Sequence, residues 1–306
     1  MKIKILLMSL IVFSFQFGRA ESVGAFSPKK QYKDVVQYLQ NLEKKYPQVA
    51  EVFILGDSDS GEQILGIRIG TSGIENLVVG THHGNEYGST EVALAFAGDL
   101  AANPIVGQIV YVVPVLNISG YNAGLRSEQN YAGRKFDPNR DYIGPCKEKS
   151  IYGDSFNLKS TTALAAFLKH TNIINSATLH TYHPGVLYPW GLSTNDLDTG
   201  YNDLFIELGQ AATTYSKYTV GNSTDILYPA EGTYEDYAFW QHGIWSMLFE
   251  LGYTHSPSDN QIRDMVAVNV PGIRKMFEIA PTVRAPRHHF SGACTRASIL
   301  LDRHDE

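Results

Sequence analysis

Cysteine is nearly absent. The 306 residues include two, Cys146 and Cys294, and their wide spacing excludes a cysteine-rich zinc site. Long apolar runs are also missing. The most apolar stretch, Ile5 to Phe17, is 13 residues and too short to cross a bilayer comfortably, so no membrane span is expected. No internal repeat and no linker-like segment interrupts residues 28–280, which therefore read as one domain. There is no HExxH motif, so any metal would need ligands from separate segments and a general base from elsewhere. Excess positive charge is lacking as well. The formal net charge is −6, which argues against nucleic acid as a partner.

What is present describes a folded, exported chain. Hydrophobic residues make up 43% and aromatics 11%, including 18 tyrosines, which excludes disorder. Residues 1–20 read as a cleavable signal peptide: Lys2 and Lys4 precede the apolar stretch, and Gly18-Arg19-Ala20 follows it. A secreted or periplasmic protein is expected. Loss of Lys2, Lys4 and Arg19 from the 25 basic residues leaves 22 against 31 acidic ones, a net charge of −9. An oxidising compartment permits a Cys146–Cys294 bridge, and two unpaired thiols fit equally well. The tail, residues 281–306, reads as an irregular appendage with His288 and His289 exposed.

The apolar pattern alternates between strand and helix. Tyr32, Val35, Val36, Leu39 and Leu42 share one helical face behind a start at Ser27-Pro28. Strands are expected at 52–55, 64–69, 77–81, 109–115, 177–180 and 244–250. Helices are expected at 89–102, 158–170, 201–215 and 261–279. Several strands are apolar without alternation, as in a sheet covered on both faces. The expected architecture is α/β, a mixed and mostly parallel sheet flanked by helices, and such sheets gather ligands at the C-terminal ends of their strands.

Chemically loaded residues occupy those ends. His83 and Glu86 follow the strand at 77–81, and their spacing lets both turn toward one metal ion, although a polar helix-capping turn has the same pattern. His82, beside them, points the other way. His180 closes the run Ala177-Thr178-Leu179 and supplies a third ligand. Two histidines and a carboxylate, with a fourth position left to water, make the donor set of a catalytic zinc ion. Glu250 ends an apolar strand, where a carboxylate is costly to bury without a partner or a task. A buried salt bridge is one explanation, and a general base acting on zinc-bound water is the other.

Taken in order, these segments resemble the zinc metallocarboxypeptidase family, whose best-known member is pancreatic carboxypeptidase A, and suggest a secreted member of bacterial type. His83-Gly84-Asn85-Glu86 resembles the paired zinc-ligand motif. Asn139-Arg140 resembles the pair that grips the substrate's terminal carboxylate. His180-Thr181-Tyr182 with Leu187-Tyr188-Pro189 resembles the third-ligand segment, Tyr228-Pro229-Ala230 the capping-tyrosine loop, and Phe249-Glu250-Leu251 the segment of the catalytic glutamate. The resemblance spans about residues 30–280. It implies one zinc ion held by His83, Glu86 and His180, and Glu250 as general base. It further implies a peptide with a free C-terminal carboxylate as substrate, bound by Asn139, Arg140 and Tyr228, and a monomeric enzyme.

Two features depart from the pattern. Arg126 and Arg134 both qualify as the arginine that stabilises the oxyanion, and Arg134 is favoured because Gly133-Arg134-Lys135 resembles several branches. The interval from Glu86 to His180 is compact, implying trimmed loops and an open cleft. Seven positions after Tyr228, where the family places a selectivity residue, stands Glu235. A buried acid there favours C-terminal Lys or Arg, whereas a shift of one or two residues would leave Glu235 or Asp236 with a helix-start contact only. HGNE is also similar to the deacylase branch of the family. The alternative activity is therefore a zinc amidohydrolase acting on peptidoglycan peptides or N-acyl amino acids.

Overall fold

The computed structural model describes residues 31–146, 152–192 and 194–294. The expected leader at 1–20, the expected helix start at Ser27-Pro28 and the last twelve residues of the tail lie outside them. The chain begins with α1 (Tyr32–Lys45), β1 (Ala50–Asp57), β2 (Gln63–Ile69), β3 (Ile74–Gly80), α2 (Tyr87–Ala102) and β4 (Gln108–Val113). Next come α3 (Ile118–Ala123), the short strands β5 (Glu128–Gln129) and β6 (Lys135–Phe136), α4 (Lys159–His170) and β7 (Ile173–His180). The last part holds β8 (Gly185–Tyr188), α5 (Asn202–Ala212), β9 (Thr219–Asn222), α6 (Ser223–Ile226), α7 (Tyr234–His242), β10 (Trp245–Glu250) and α8 (Asp259–Ile279).

Eight strands form one sheet in the order β1-β2-β4-β3-β7-β10-β8-β9. The four central strands β4, β3, β7 and β10 run parallel, and antiparallel pairings bring in β2 and β8. This is the mixed sheet flanked by helices expected from the sequence. Leu77, Val78 and Val79 are consecutive and all fully buried, so both faces of β3 are covered. The consequence for chemistry is direct. Because β3, β7 and β10 are parallel neighbours, their C-terminal ends meet at one edge. Gly80 pairs with Leu179, and His180 with Glu250.

The tail differs from expectation. Through Cys294 it is irregular but docked, not appended. Arg284 donates to the carbonyls of Thr171 and Ile173, Phe290 packs edge-on against Trp190, and His288 Nδ1 lies 2.7 Å from the Trp240 carbonyl, so only His289 stays exposed. Cys146 and Cys294 form a disulfide across 148 residues. Such closures stabilise by roughly 2–5 kcal/mol. This one ties the tail to the loop after Arg140.

A buried acid on β5 adds a pH-dependent feature to the fold. Glu128 on β5 is fully buried and accepts from Ser160 Oγ at 2.5 Å. Burial, against the Ser160 hydrogen bond and with help from Asp59 and Asp141, pushes its carboxyl up to about 8. The folded chain thus keeps a proton that the unfolded chain releases near its ordinary value. The stabilisation is full below that value and is lost as pH rises through about 8. At about 1.4 kcal/mol per pH unit, the loss is a few kcal/mol. Glu128→Gln should flatten the fall in melting temperature between pH 5 and 8. An unchanged pH slope would contradict this assignment.

Candidate active site

The first ligand pair is built by a constrained turn. Thr81 leaves β3 with φ 58°, a region costly for a β-branched residue. Its hydroxyl is held by Thr90 Oγ1 at 2.5 Å, Ser89 Oγ at 3.1 Å and the Pro114 carbonyl at 3.0 Å. Gly84 follows because a Cβ there would stand 2.0 Å from the Gly120 carbonyl carbon. The turn brings His83 Nδ1 to 2.7 Å from Glu86 Oε1. His180, from the end of β7, places Nδ1 3.2 Å from Glu86 Oε2 and 3.3 Å from His83 Nδ1. All three residues are buried, and their donor atoms lie within 4.8 Å of one another.

Two imidazole nitrogens and a carboxylate oxygen suit zinc. Donors at about 2.0–2.1 Å around a tetrahedral ion stand roughly 3.3 Å apart, close to both His180 separations. The residues fit the ion. Electrostatics point the same way. Burial and Arg126 oppose a charge on His83, yet Glu86 and Asp137 outweigh them and raise it to about 9. Despite burial, His83 and His180 hold Glu86 well below the carboxylate range. The pocket therefore demands positive charge at its centre, which a dication satisfies.

Around the cluster, the structure brings together most of the sequence-predicted residues. Glu250 ends β10 beside His180, and the next amide, Leu251 N–H, donates to the His180 carbonyl at 2.8 Å. Burial and the neighbouring Glu86 push the Glu250 carboxyl well above its usual range, against His83 and Arg126. Arg140 Nη2 donates to Tyr228 Oη at 3.2 Å, and its guanidinium lies 5.8 Å from that ring centre. Asn139 turns its carbonyl oxygen to the Tyr234 amide. Gly232 lets the Tyr228 loop pass close by, since its φ is +78° and a Cβ would stand 2.6 Å from the Arg140 carbonyl oxygen. Glu235 is buried on α7, where Thr178 donates to Oε1, and Oε2 has no hydrogen-bond partner among the described residues.

Arg134 is the exception. It is exposed on the turn between β5 and β6, with its guanidinium 5.0 Å from the Phe136 ring centre. Arg126 instead reaches the cluster, with Nη1 3.3 Å from His83 Nδ1 and 3.9 Å from Glu86 Oε1. The reason is local. Asn117 Nδ2 donates to the carbonyls of both His82 and Arg126, and Gly84 N–H also donates to Arg126. Those bonds pin the Arg126 backbone to the ligand turn.

Sequence reasoning missed two residues, Asp137 and Asn117, and read Asp236 only as a helix-start contact. Asp137 accepts from Arg126 Nε and Nη2 at 3.1 and 2.8 Å and stands 3.0 Å from His83 Nε2. Its position two residues before Asn139 was the available signal. Despite burial, Arg126 and His83 hold it well below the carboxylate range. Asn117 has no signal of its own. Asp236 accepts the Gly191 amide on both oxygens, 2.9 and 3.0 Å, and burial pushes its carboxyl well up. Its helix-start contact accompanies a buried Glu235 and does not replace it.

Parallel strand ends carrying two histidines and a glutamate, with a glutamate and an arginine–tyrosine pair beside them, define a metallohydrolase of the carboxypeptidase class. The zinc carboxypeptidase family model matches residues 35–272, and the chain belongs to that family. Carboxypeptidase B of Astacus astacus is 23% identical over 250 residues, covering 70% of this chain and 82% of that protein. Human carboxypeptidase B is 24% identical over 275 residues, covering 76% of this chain and 66% of that protein, about two thirds of its length. The fold matches carboxypeptidase A from Helicoverpa armigera with a TM-score of 0.73 at 20% identity, over 81% of this chain and 72% of that one. It matches bovine thrombin-activatable fibrinolysis inhibitor, solved with a tick carboxypeptidase inhibitor, with a TM-score of 0.74 at 18% identity, over 81% and 96%. Among the described residues, no helix is long and apolar enough to cross a membrane.

Proposed function

We propose that the protein is an exported, monomeric carboxypeptidase with one zinc ion, which removes C-terminal residues from peptides and prefers Lys and Arg. The observation that carries the exopeptidase reading is the Arg140–Tyr228 pair beside the ligand cluster. A planar guanidinium matches a carboxylate in two parallel hydrogen bonds, and only a chain end carries an α-carboxylate next to the last peptide bond. Asn139 adds a neutral donor. Export rests on residues 1–20, outside the described part of the chain.

A zinc ion bound by His83, Glu86 and His180 supplies Lewis acidity, lowering the pKa of water and polarising the scissile carbonyl. Everything else falls to the side chains. Glu250 takes the proton of the attacking water and hands it to the leaving amine. Arg126, kept in place and charged by Asp137, faces the oxygen on which negative charge develops. Arg140, Asn139 and Tyr228 hold the terminal carboxylate and thereby align the last peptide bond. Glu235 meets the side chain of the departing residue. Its Oε2 is buried without a partner among the described residues, so an ammonium or guanidinium would complete it.

A residue-release panel with Lys, Arg, Phe, Leu, Glu and diaminopimelate ends tests the reading. Lys and Arg should leave at least about tenfold faster than Leu or Phe, equivalent to about 1.4 kcal/mol, and Glu235→Gln should erase the difference. Peptides with amidated ends should resist. Fast turnover of cell-wall peptides or N-acyl amino acids with little action on ordinary peptides would favour the amidohydrolase alternative.

A further inference from the structure

The two histidines of the cluster are held in different ways. His83 is tethered through Nε2, 3.0 Å from Asp137 Oδ1. His180 has no such tether. Its Nε2 is buried, with no hydrogen-bond partner among the described residues. A metal-binding histidine ordinarily donates its second N–H to an acceptor that sets tautomer and ring direction. Without one, only steric contact stops the ring from turning about χ2, which would swap Nδ1 for a carbon at the metal position.

Two rings lie against His180: His83 meets it edge-on at 4.9 Å, and His82 stacks on it with centroids 5.4 Å apart and planes inclined by 22°. His82 is itself firmly placed. Its side chain is fully buried and its Nε2 stands 3.1 Å from Tyr142 Oη. Its carbonyl accepts from Asn117, and the rings of Tyr142 and Tyr234 tilt against it at 6.0 and 5.7 Å. We propose that His82 is a positioning residue for His180, its stacked ring performing for that ligand the orientation that Asp137 performs for His83. His82 is not one of the three donors, which leaves its ring free to lie against His180.

The inference rests on the zinc reading of the cluster, and zinc affinity separates the two. Dissociation constants are measured by competition with a chromogenic chelator, alongside the melting temperature of each metal-free protein. His82→Ala should bind zinc about 10–100-fold more weakly than the parent. His82→Phe, which keeps a flat ring but not the hydrogen bond, and Tyr142→Phe should stay within about threefold of it. An unchanged constant in His82→Ala, or His82→Phe as weak as His82→Ala, overturns the role of the stack. If His82→Ala does not fold, a well-folded His82→Phe with tenfold weaker zinc overturns it equally. A parent protein that binds no zinc overturns the metal site itself.

Discussion

Glu250→Gln should keep its zinc and lose its turnover. The substitution preserves shape and hydrogen-bonding length while removing the carboxylate that ends β10 beside His180. An amide cannot accept the proton of the attacking water, so kcat should fall about 10²–10⁴-fold, the range for loss of a positioned general base. KM should change little, because the terminal-carboxylate clamp is built from Asn139, Arg140 and Tyr228. Gln matches Glu in size and brings no charge to bury, so it should fold well there. Metal analysis and kcat on a Lys-ended peptide check the result. A zinc-loaded Glu250→Gln retaining more than a tenth of parental kcat would remove Glu250 from the mechanism, whereas loss of zinc would make it a structural residue.

The second large effect separates two arginines. Arg126→Ala should lower kcat/KM about 10²–10³-fold, as loss of one oxyanion donor does elsewhere, while Arg134→Ala should change nothing measurable. Arg126 stands 3.3 Å from His83 Nδ1 and is gripped on two nitrogens by Asp137, whereas Arg134 lies exposed over Phe136. Arg126→Lys is the informative companion. It retains charge but cannot satisfy Asp137 in a fork, so activity should fall between that of the parent and the alanine variant. The comparison is made with melting temperatures in hand, because Asp137 is left short of a partner in Arg126→Ala. Equal losses in Arg126→Ala and Arg134→Ala would sink the assignment.

The ligand pair was readable because it is local. His83 and Glu86 are three residues apart at the end of an apolar run, and the turn between them needs only Gly84 and a few hydroxyls to form. His180 and Glu250 were readable for a related reason: each is the one titratable residue of its strand and ends a run that has to be buried. The helices at 89–102, 158–170 and 261–279 appear within two or three residues of expectation. By contrast, α7 (Tyr234–His242) carries almost no periodic signal, since Tyr234 through Phe239 are all buried and no polar face remains to reveal a helix.

The sequence by itself determined the chemistry on offer and the strand ends that carry it. Donor type and short-range spacing are covalent properties, and apolar runs must be buried wherever the chain goes. Only the tertiary structure decided which arginine joins the site, that Asp137 braces both His83 and Arg126, and that the tail docks through Cys294. These depend on how irregular loops close between residues far apart in the chain. A few hydrogen bonds, such as those from Asn117 to the carbonyls of His82 and Arg126, settle that closure, and their partners leave no periodic trace in the sequence.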